Sequence, residues 1–366
     1  MLKSVRRRSL CSLLLVAPTL ALSVLAPSPA NATVERAHNS AASGPLIGFM
    51  VPESTVPRFL TQDWPNFQKW MRKLYPSARL VVEDANGSPS QQLAQAQALL
   101  TRGVKAIVLD AVSDTASTAI VKDAYAAHVP VVNYNRLTAD APVSAYVGTD
   151  AQLVGVAMGK WLLARTKRGD TIAVINGSPT DPWARAEHAG FMSVLDPAFK
   201  SGARHMVGNV WTPGWLPTNA TNEIEAILTK THDNIQGLLA PNDGTAEGMI
   251  PALAAQGLAG KIPITGVDAG LTGDRLILKG LLGMSVWRSP IVEQHYVAMA
   301  VIALLTHKSL PKVFAAHYAY NGLRKVPWAV YPFYIITKSN MSLELSAGVL
   351  SKAQLCKGIP SGVGPC

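Results

Sequence analysis

Cysteine is almost missing from this chain of 366 residues: there are three, at positions 11, 356 and 366. His188, His205 and His295 are scattered along the chain and read as surface or satisfied histidines. No Cys/His cluster with metal-ligand spacing is present. Acids are also scarce, 23 against 33 Lys and Arg, for a formal net charge of +10. That basic excess forms no stripe and no basic-aromatic interleaving, which argues against nucleic-acid binding and leaves attraction to an anionic surface or ligand open. Long apolar runs are lacking past the first segment. "AVIALL" (300–305) falls far short of the roughly 18 residues of a spanning helix. There is no G-x-S-x-G elbow, no P-loop and no HExxH, so nothing points to catalysis or to a cofactor.

What is present begins with "MLKSVRRRSLCSLLLVAPTLALSVLAPSPANA" (1–32). A basic head (Lys3, Arg6, Arg7, Arg8), an apolar middle broken by Pro18, Pro27 and Pro29, and the exit Ala30-Asn31-Ala32 are the layout of a cleavable export signal. Arg7-Arg8-Ser9-Leu10 is faintly similar to a twin-arginine signal. Removal of this segment would take away Cys11 and four basic residues, leaving +6 of the +10. Cys356 and Cys366 then bracket a Gly/Pro-rich loop, which in an oxidising compartment predicts one disulfide pinning the tail.

About 330 further residues exceed one ordinary core, so two lobes are expected. Short Val/Ile/Leu-rich runs alternate with helix-period runs: "LIGFMVP" (46–52), "ARLVVEDANG" (78–87), "AIVLDAV" (106–112), "VPVVNYNR" (129–136) and "AYVGTD" (145–150). The series restarts with "TIAVING" (171–177), "ARHMVGNVW" (203–211), "IQGLLAPND" (235–243), "IPITGVDAG" (262–270) and "GMSVWRSP" (283–290), and "VYPFYIITKS" (330–339) returns late. This pattern predicts an α/β fold of two doubly wound parallel-sheet lobes, 44–148 with 290–328 and 149–289 with 329–366.

In such sheets ligands sit beyond the carboxyl ends of the strands. Polar or aromatic residues collect there: Asn135-Arg136, Ser178 to Asp181, Trp211 to Trp215, Asn242-Asp243, Asp268 and Arg288. Any one of these is readily a cap or turn former, and Asp243 reads as the N-cap of a helix from Thr245. Six strand ends with one chemistry point further. Asp, Asn and Arg match paired hydroxyls, and Trp215 in the stiff "TPGWLP" corner offers a flat wall for the C–H face of a sugar ring. The plain alternative is that Trp211 and Trp215 only plug a core.

With "GSPTDPWARAEHAGFM", "GWLPTNA", "NDGTAEGMIPALAAQGLAGKIPITGVDA" and "YNR", the chain from about Leu46 to Ser339 resembles the periplasmic sugar-binding proteins of ABC importers, of the type I periplasmic binding protein fold. It is most similar to the D-xylose binders. The resemblance implies two lobes joined by a three-crossover hinge, a periplasmic location, a sugar or polyol ligand, an importer permease as partner, a monomer, and no cofactor. It places Arg58 and Phe59 where the family has Arg and Trp, and adds Asn135, Arg136, Asp181, Trp215, Asn242 and Asp268. Arg288 stands where the family has Lys.

Three departures bear on the ligand. Asn135 replaces an Asp, Pro182 and Trp183 replace two asparagines, and Arg288 brings an apparent extra residue before Pro290. Arg58, Arg136 and Arg288 are then expected to face only Asp181 and Asp268. That surplus of one positive charge suggests a ligand with an extra acceptor or a negative group. A sugar-dependent repressor would need a DNA-binding helix-turn-helix in front. A periplasmic sensor subunit for a chemoreceptor or histidine kinase is the second reading.

Overall fold

A computed structural model describes residues 44–366; the expected signal segment and Cys11 lie outside them. The first sheet holds β1 (Leu46–Val51), β2 (Arg79–Asp84), β3 (Ala106–Leu109), β4 (Val131–Tyr134) and β5 (Ala145–Val147), all parallel in the order β5-β4-β3-β1-β2. Every residue of β1, β3, β4 and β5 is buried, as expected of strands covered on both faces. Their connections are α1 (Trp64–Leu74), α2 (Pro89–Thr101) and α3 (Thr118–Ala126). A single π-helical turn, Phe59–Asp63, leads into α1. Ser88 caps α2 by accepting from the Gln91 N–H, matching the serine start read from the sequence.

The chain leaves this sheet through α4 (Ala151–Leu163) and builds a second one. Here β6 (Thr171–Asn176) lies between β7 (His205–Trp211) and β8 (Gly237–Leu239), again parallel. α5 (Pro182–Lys200), α6 (Pro217–Thr231), α7 (Asp243–Ala255) and α8 (Leu271–Leu278) connect and flank these strands. α4 packs on α5 backbone to backbone: a Cβ on Gly155 would meet the Glu187 carbonyl oxygen at 2.0 Å, and one on Gly190 the Gln152 oxygen at 2.0 Å. β9 (Ser285–Arg288) follows, then α9 (Pro290–Leu305) returns to the first sheet, which gains the antiparallel hairpin β10 (Tyr318–Tyr320) and β11 (Lys325–Ala329), with β11 parallel to β5. The chain crosses once more to β12 (Phe333–Ile336), antiparallel to β9, and ends in α10 (Ser342–Ala347) and α11 (Lys352–Cys356).

Two local expectations are corrected. The expected strand over 262–270 is a link with two isolated bridges, Leu238 to Ile264 and Val267 to Val286. Its bonds switch from β8 on one side to β9 on the other, so no continuous ladder forms. The β10–β11 hairpin went unread because its face is solvated: Tyr318 and Tyr320 are exposed, so no buried apolar run marks it.

Cys356 and Cys366 form a disulfide with a Cα separation of 5.4 Å. We predict that intact mass of the processed chain, without the first 32 residues, will rise by two hydrogens on reduction, with no thiol free beforehand.

The tail also docks through acids. Glu344 of α10 faces Asp274 of α8, and burial first, then Asp274 and Asp243, push the Glu344 carboxyl up to about 10. Burial pushes Asp274 up to about 7. Folded-state values above the usual ones mean that this contribution to stability is whole at low pH and is lost as pH rises through 7 toward 10. The melting temperature should therefore fall between pH 6 and pH 9, and Glu344→Gln should flatten that fall.

Candidate functional site

Beyond the carboxyl ends of the strands of both sheets lies a narrow, half-open pocket with a cavity volume of about 20 Å³. Nine of the ten residues proposed from the sequence line it: Phe59, Asn135, Arg136, Asp181, Trp183, Trp215, Asn242, Asp268 and Arg288. Val56, Pro241 and Val267 complete the wall. Arg58 is not among them. Its guanidinium is turned to Asp63 at 3.2 Å and to Glu293, and its Nη1 stays 4.0 Å from Asp268.

The aromatic wall is fixed by its neighbours. Gly214 (φ 66°) and Trp215 (φ 56°) sit in the left-handed region, which turns the Trp215 ring inward. The ring lies flat over Gly177, where a Cβ would come within 2.2 Å of it. Trp215 Nε1 donates to Asp181 Oδ2 at 2.9 Å. Only 5% of Trp215 is exposed and it packs into the core, as the plain reading has it, while its ring also lines the pocket. Trp183 stacks on the Arg288 guanidinium at 4.0 Å, and Phe59 underlies that of Arg136 at 5.5 Å.

Helix caps supply further polar groups. Asp181 caps α5 through the Trp183 N–H. Asn242, not Asp243, caps α7: its Oδ1 accepts from the Thr245 N–H at 2.9 Å. Asp243 is the first helical residue, and its carboxylate is free to accept from Ser285 Oγ at 2.7 Å. Asn135 (φ 58°) and Asp268 (φ 103°) join Trp215 in left-handed backbone. Three strained non-glycine residues in one pocket are the pattern of a site that orients side chains at the expense of backbone comfort.

The expected surplus of positive charge is not there. Arg136 is held bidentately by Glu53 (2.8 and 3.3 Å), by Asp181 at 2.7 Å, and lies 3.6 Å from Asp110. Arg58 has Asp63 and Glu293, and Arg288 reaches Asp268 at 3.0 Å. Three cations thus meet six carboxylates. Burial, only partly offset by Arg136, raises Glu53, Asp110 and Asp181, and it lifts Asp63 to about 7. Glu53 and Asp110 were missed in the sequence although each directly follows a first-sheet strand, the same signal that marked Asn135 and Arg136.

Asn135 has a fixed amide: its Nδ2 donates to Asp110 Oδ2 at 3.0 Å and its Oδ1 accepts from Arg288 Nη1 at 2.6 Å. An Asp there would set two carboxylates against each other, which explains the amide. The two walls touch through Arg288–Asn135 and Arg136–Asp181. Among the described residues no group of His, Cys, Asp and Glu is placed to hold a metal ion, and no helix is long and apolar enough to cross a membrane.

A sequence profile of the periplasmic binding protein domain matches residues 47–309. The D-xylose-binding periplasmic protein of Escherichia coli (strain K12) is 34% identical over 264 residues, 72% of this chain and 79% of that protein. The multiple sugar-binding periplasmic receptor ChvE of Rhizobium radiobacter is 27% identical, over 87% of this chain and 94% of its own. A crystal structure of a carbohydrate transporter solute binding protein from Chloroflexus aurantiacus, in complex with D-glucose, has a TM-score of 0.78 at 24% identity, covering 84% of this chain and 97% of that one. That likeness speaks for the fold. Profile, relatives and two-sheet architecture agree, and the chain belongs to the periplasmic binding protein family, one of binding proteins and not of enzymes.

Proposed function

We propose that this protein is an exported, monomeric binding protein that captures a neutral monosaccharide or related polyol between its two lobes and delivers it to the permease of an ABC importer. The lobes are 44–148 with 290–328 and 149–289 with 329–366, and their closure brings the strand ends together on the ligand. One observation carries the reading: aromatic faces and paired polar groups converge from both sheets in a pocket whose arginines are already matched by carboxylates. Hydroxyls donate and accept, as such a lining requires. An anion would add charge to a site that already holds more carboxylates than cations. The sugars named for the relatives support the class without fixing the ligand. Export would cleave the chain near Ala32 and leave it in the periplasm.

Trp215 and Trp183 bear the ring faces, while Asp181, Asn242, Asp268, Arg136 and Arg288 bear the hydroxyls. A sensor role is the second reading, favoured by the resemblance to a relative named as a receptor. Co-purification with a permease and ATPase, against a kinase or chemoreceptor, separates the two.

In a thermal-shift screen, neutral pentoses, hexoses or polyols should raise the melting temperature, since a ligand at one hundred times Kd adds about 2.7 kcal/mol. Sugar acids should leave it unchanged. A uronate that outperforms its neutral parent would overturn the charge argument.

Asn135→Asp should weaken binding of the best neutral ligand by about tenfold at pH 8, the loss of one hydrogen bond to a charged group. The introduced carboxyl and Asp110 would share a proton at lower pH and restore the donor, so affinity relative to the parent protein should recover toward pH 5. Calorimetry at both pH values decides; equal deficits at the two would contradict it.

A further inference from the structure

A larger groove adjoins the pocket. Its cavity volume is about 370 Å³, and it shares Asn242 and Asp268 with the pocket as common walls. We propose that this groove is a second subsite, seating the next ring of a disaccharide or glycoside whose first ring fills the pocket. The inference rests on the sugar-binding reading above.

Two buried polar side chains that line the groove each carry one atom without a hydrogen-bond partner. Arg58 is 3% exposed, and its Nη1 makes no hydrogen bond. Gln62 is 9% exposed, and its Oε1 accepts none. Buried polar groups are normally paired, and here an unused donor and an unused acceptor lie on one wall. A sugar hydroxyl satisfies both kinds. Beside Gln62, Gly270 stands before α8 without a side-chain cap, so the first turn of that helix offers further N–H donors. Pro57, Leu271, Val349 and Leu350 supply apolar surface for a ring face.

The groove holds more acids than cations. Arg58 already has Asp63 and Glu293, while Asp243 and Glu247 line the same space. A neutral second ring fits this lining, and a phosphate does not.

The far wall is tied down by contacts of its own. Ser351 and Gln354 form a reciprocal capping box, Arg275 donates to the Gln354 carbonyl at 2.5 Å, and the Cys356–Cys366 bond closes the tail behind them. A pre-ordered wall leaves little entropy to lose on binding.

Calorimetry on the full mature protein should compare D-xylose and D-glucose with xylobiose, cellobiose and maltose. At least one disaccharide should bind ten times more tightly than its monosaccharide. Thr272→Trp, at an exposed position on the groove, should remove that gain and leave monosaccharide affinity within twofold. Gln62→Leu should reduce the gain without abolishing it. Monosaccharide binding with no disaccharide gain overturns the second subsite and spares the function. A gain that survives Thr272→Trp places the second ring elsewhere and also overturns it. Binding of no sugar at all overturns both.

Discussion

Buried arginine is the constraint on which the rest of this structure depends. A guanidinium stays charged under all ordinary conditions, so an arginine removed from water must be met by carboxylates in defined geometry or the fold carries an uncompensated charge. Arg58, Arg136 and Arg288 are each about 3% exposed, and each has at least one carboxylate partner. The acids come from distant parts of the chain: Glu53 follows β1, Asp110 follows β3, Asp181 opens α5 and Glu293 lies in α9. Satisfying the arginines therefore fixes how the strand ends of both sheets are arranged. The desolvated acids respond by holding protons more tightly, as the raised values of Glu53, Asp63 and Asp110 show.

The same lattice explains residues that otherwise look like departures. Asn135 stands where the resembled proteins carry a carboxylate, and the reason lies 25 residues earlier in Asp110, whose Oδ2 accepts from the Asn135 amide. The carboxyl group is supplied by the neighbouring strand end, and the amide links it by hydrogen bonds to Arg288. Trp183, in place of an asparagine, covers the face of Arg288. An Arg with its wide planar cation, an aromatic face over it and an amide beneath it form one consistent exchange, where lysine would have used a point charge.

The sheets were legible in the sequence because parallel strands buried on both faces read as short unbroken apolar runs, and the cleft was legible because one chemistry recurs at six strand ends, even though Asp181 and Asn242 also cap helices. Legibility failed where the signal was not apolar. The β10–β11 hairpin exposes its tyrosines, and the 262–270 link has strand composition but divides its hydrogen bonds between two neighbours. The acids behind the arginines were invisible for a different reason. A single Glu or Asp after a strand is commonplace, and only the three-dimensional meeting of Arg136 with Glu53, 83 residues away, reveals its role. Arg58 shows the converse: motif position put it in the pocket, whereas two acids hold it just behind.

The contacts that close the pocket also bear on how binding energy could arise on the proposed reading. Arg288–Asn135 and Arg136–Asp181 already satisfy the groups that a sugar would engage. A hydroxyl entering between them exchanges one hydrogen bond for another, and each such bond has a net value of only about 0.5–1.5 kcal/mol between neutral groups, or about 1.5–3 when one is charged. The exchange discriminates among hydroxyl arrangements, because a misplaced hydroxyl leaves a buried group unpaired, but it yields little net affinity. The favourable surplus must come from burying C–H surface against Trp215 and Trp183, at about 25 cal/mol per Å². Polar groups would then select the ligand while the indoles hold it. That division accounts for both the glycine floor beneath Trp215 and its strained backbone, since each serves to keep one flat apolar face turned toward the pocket.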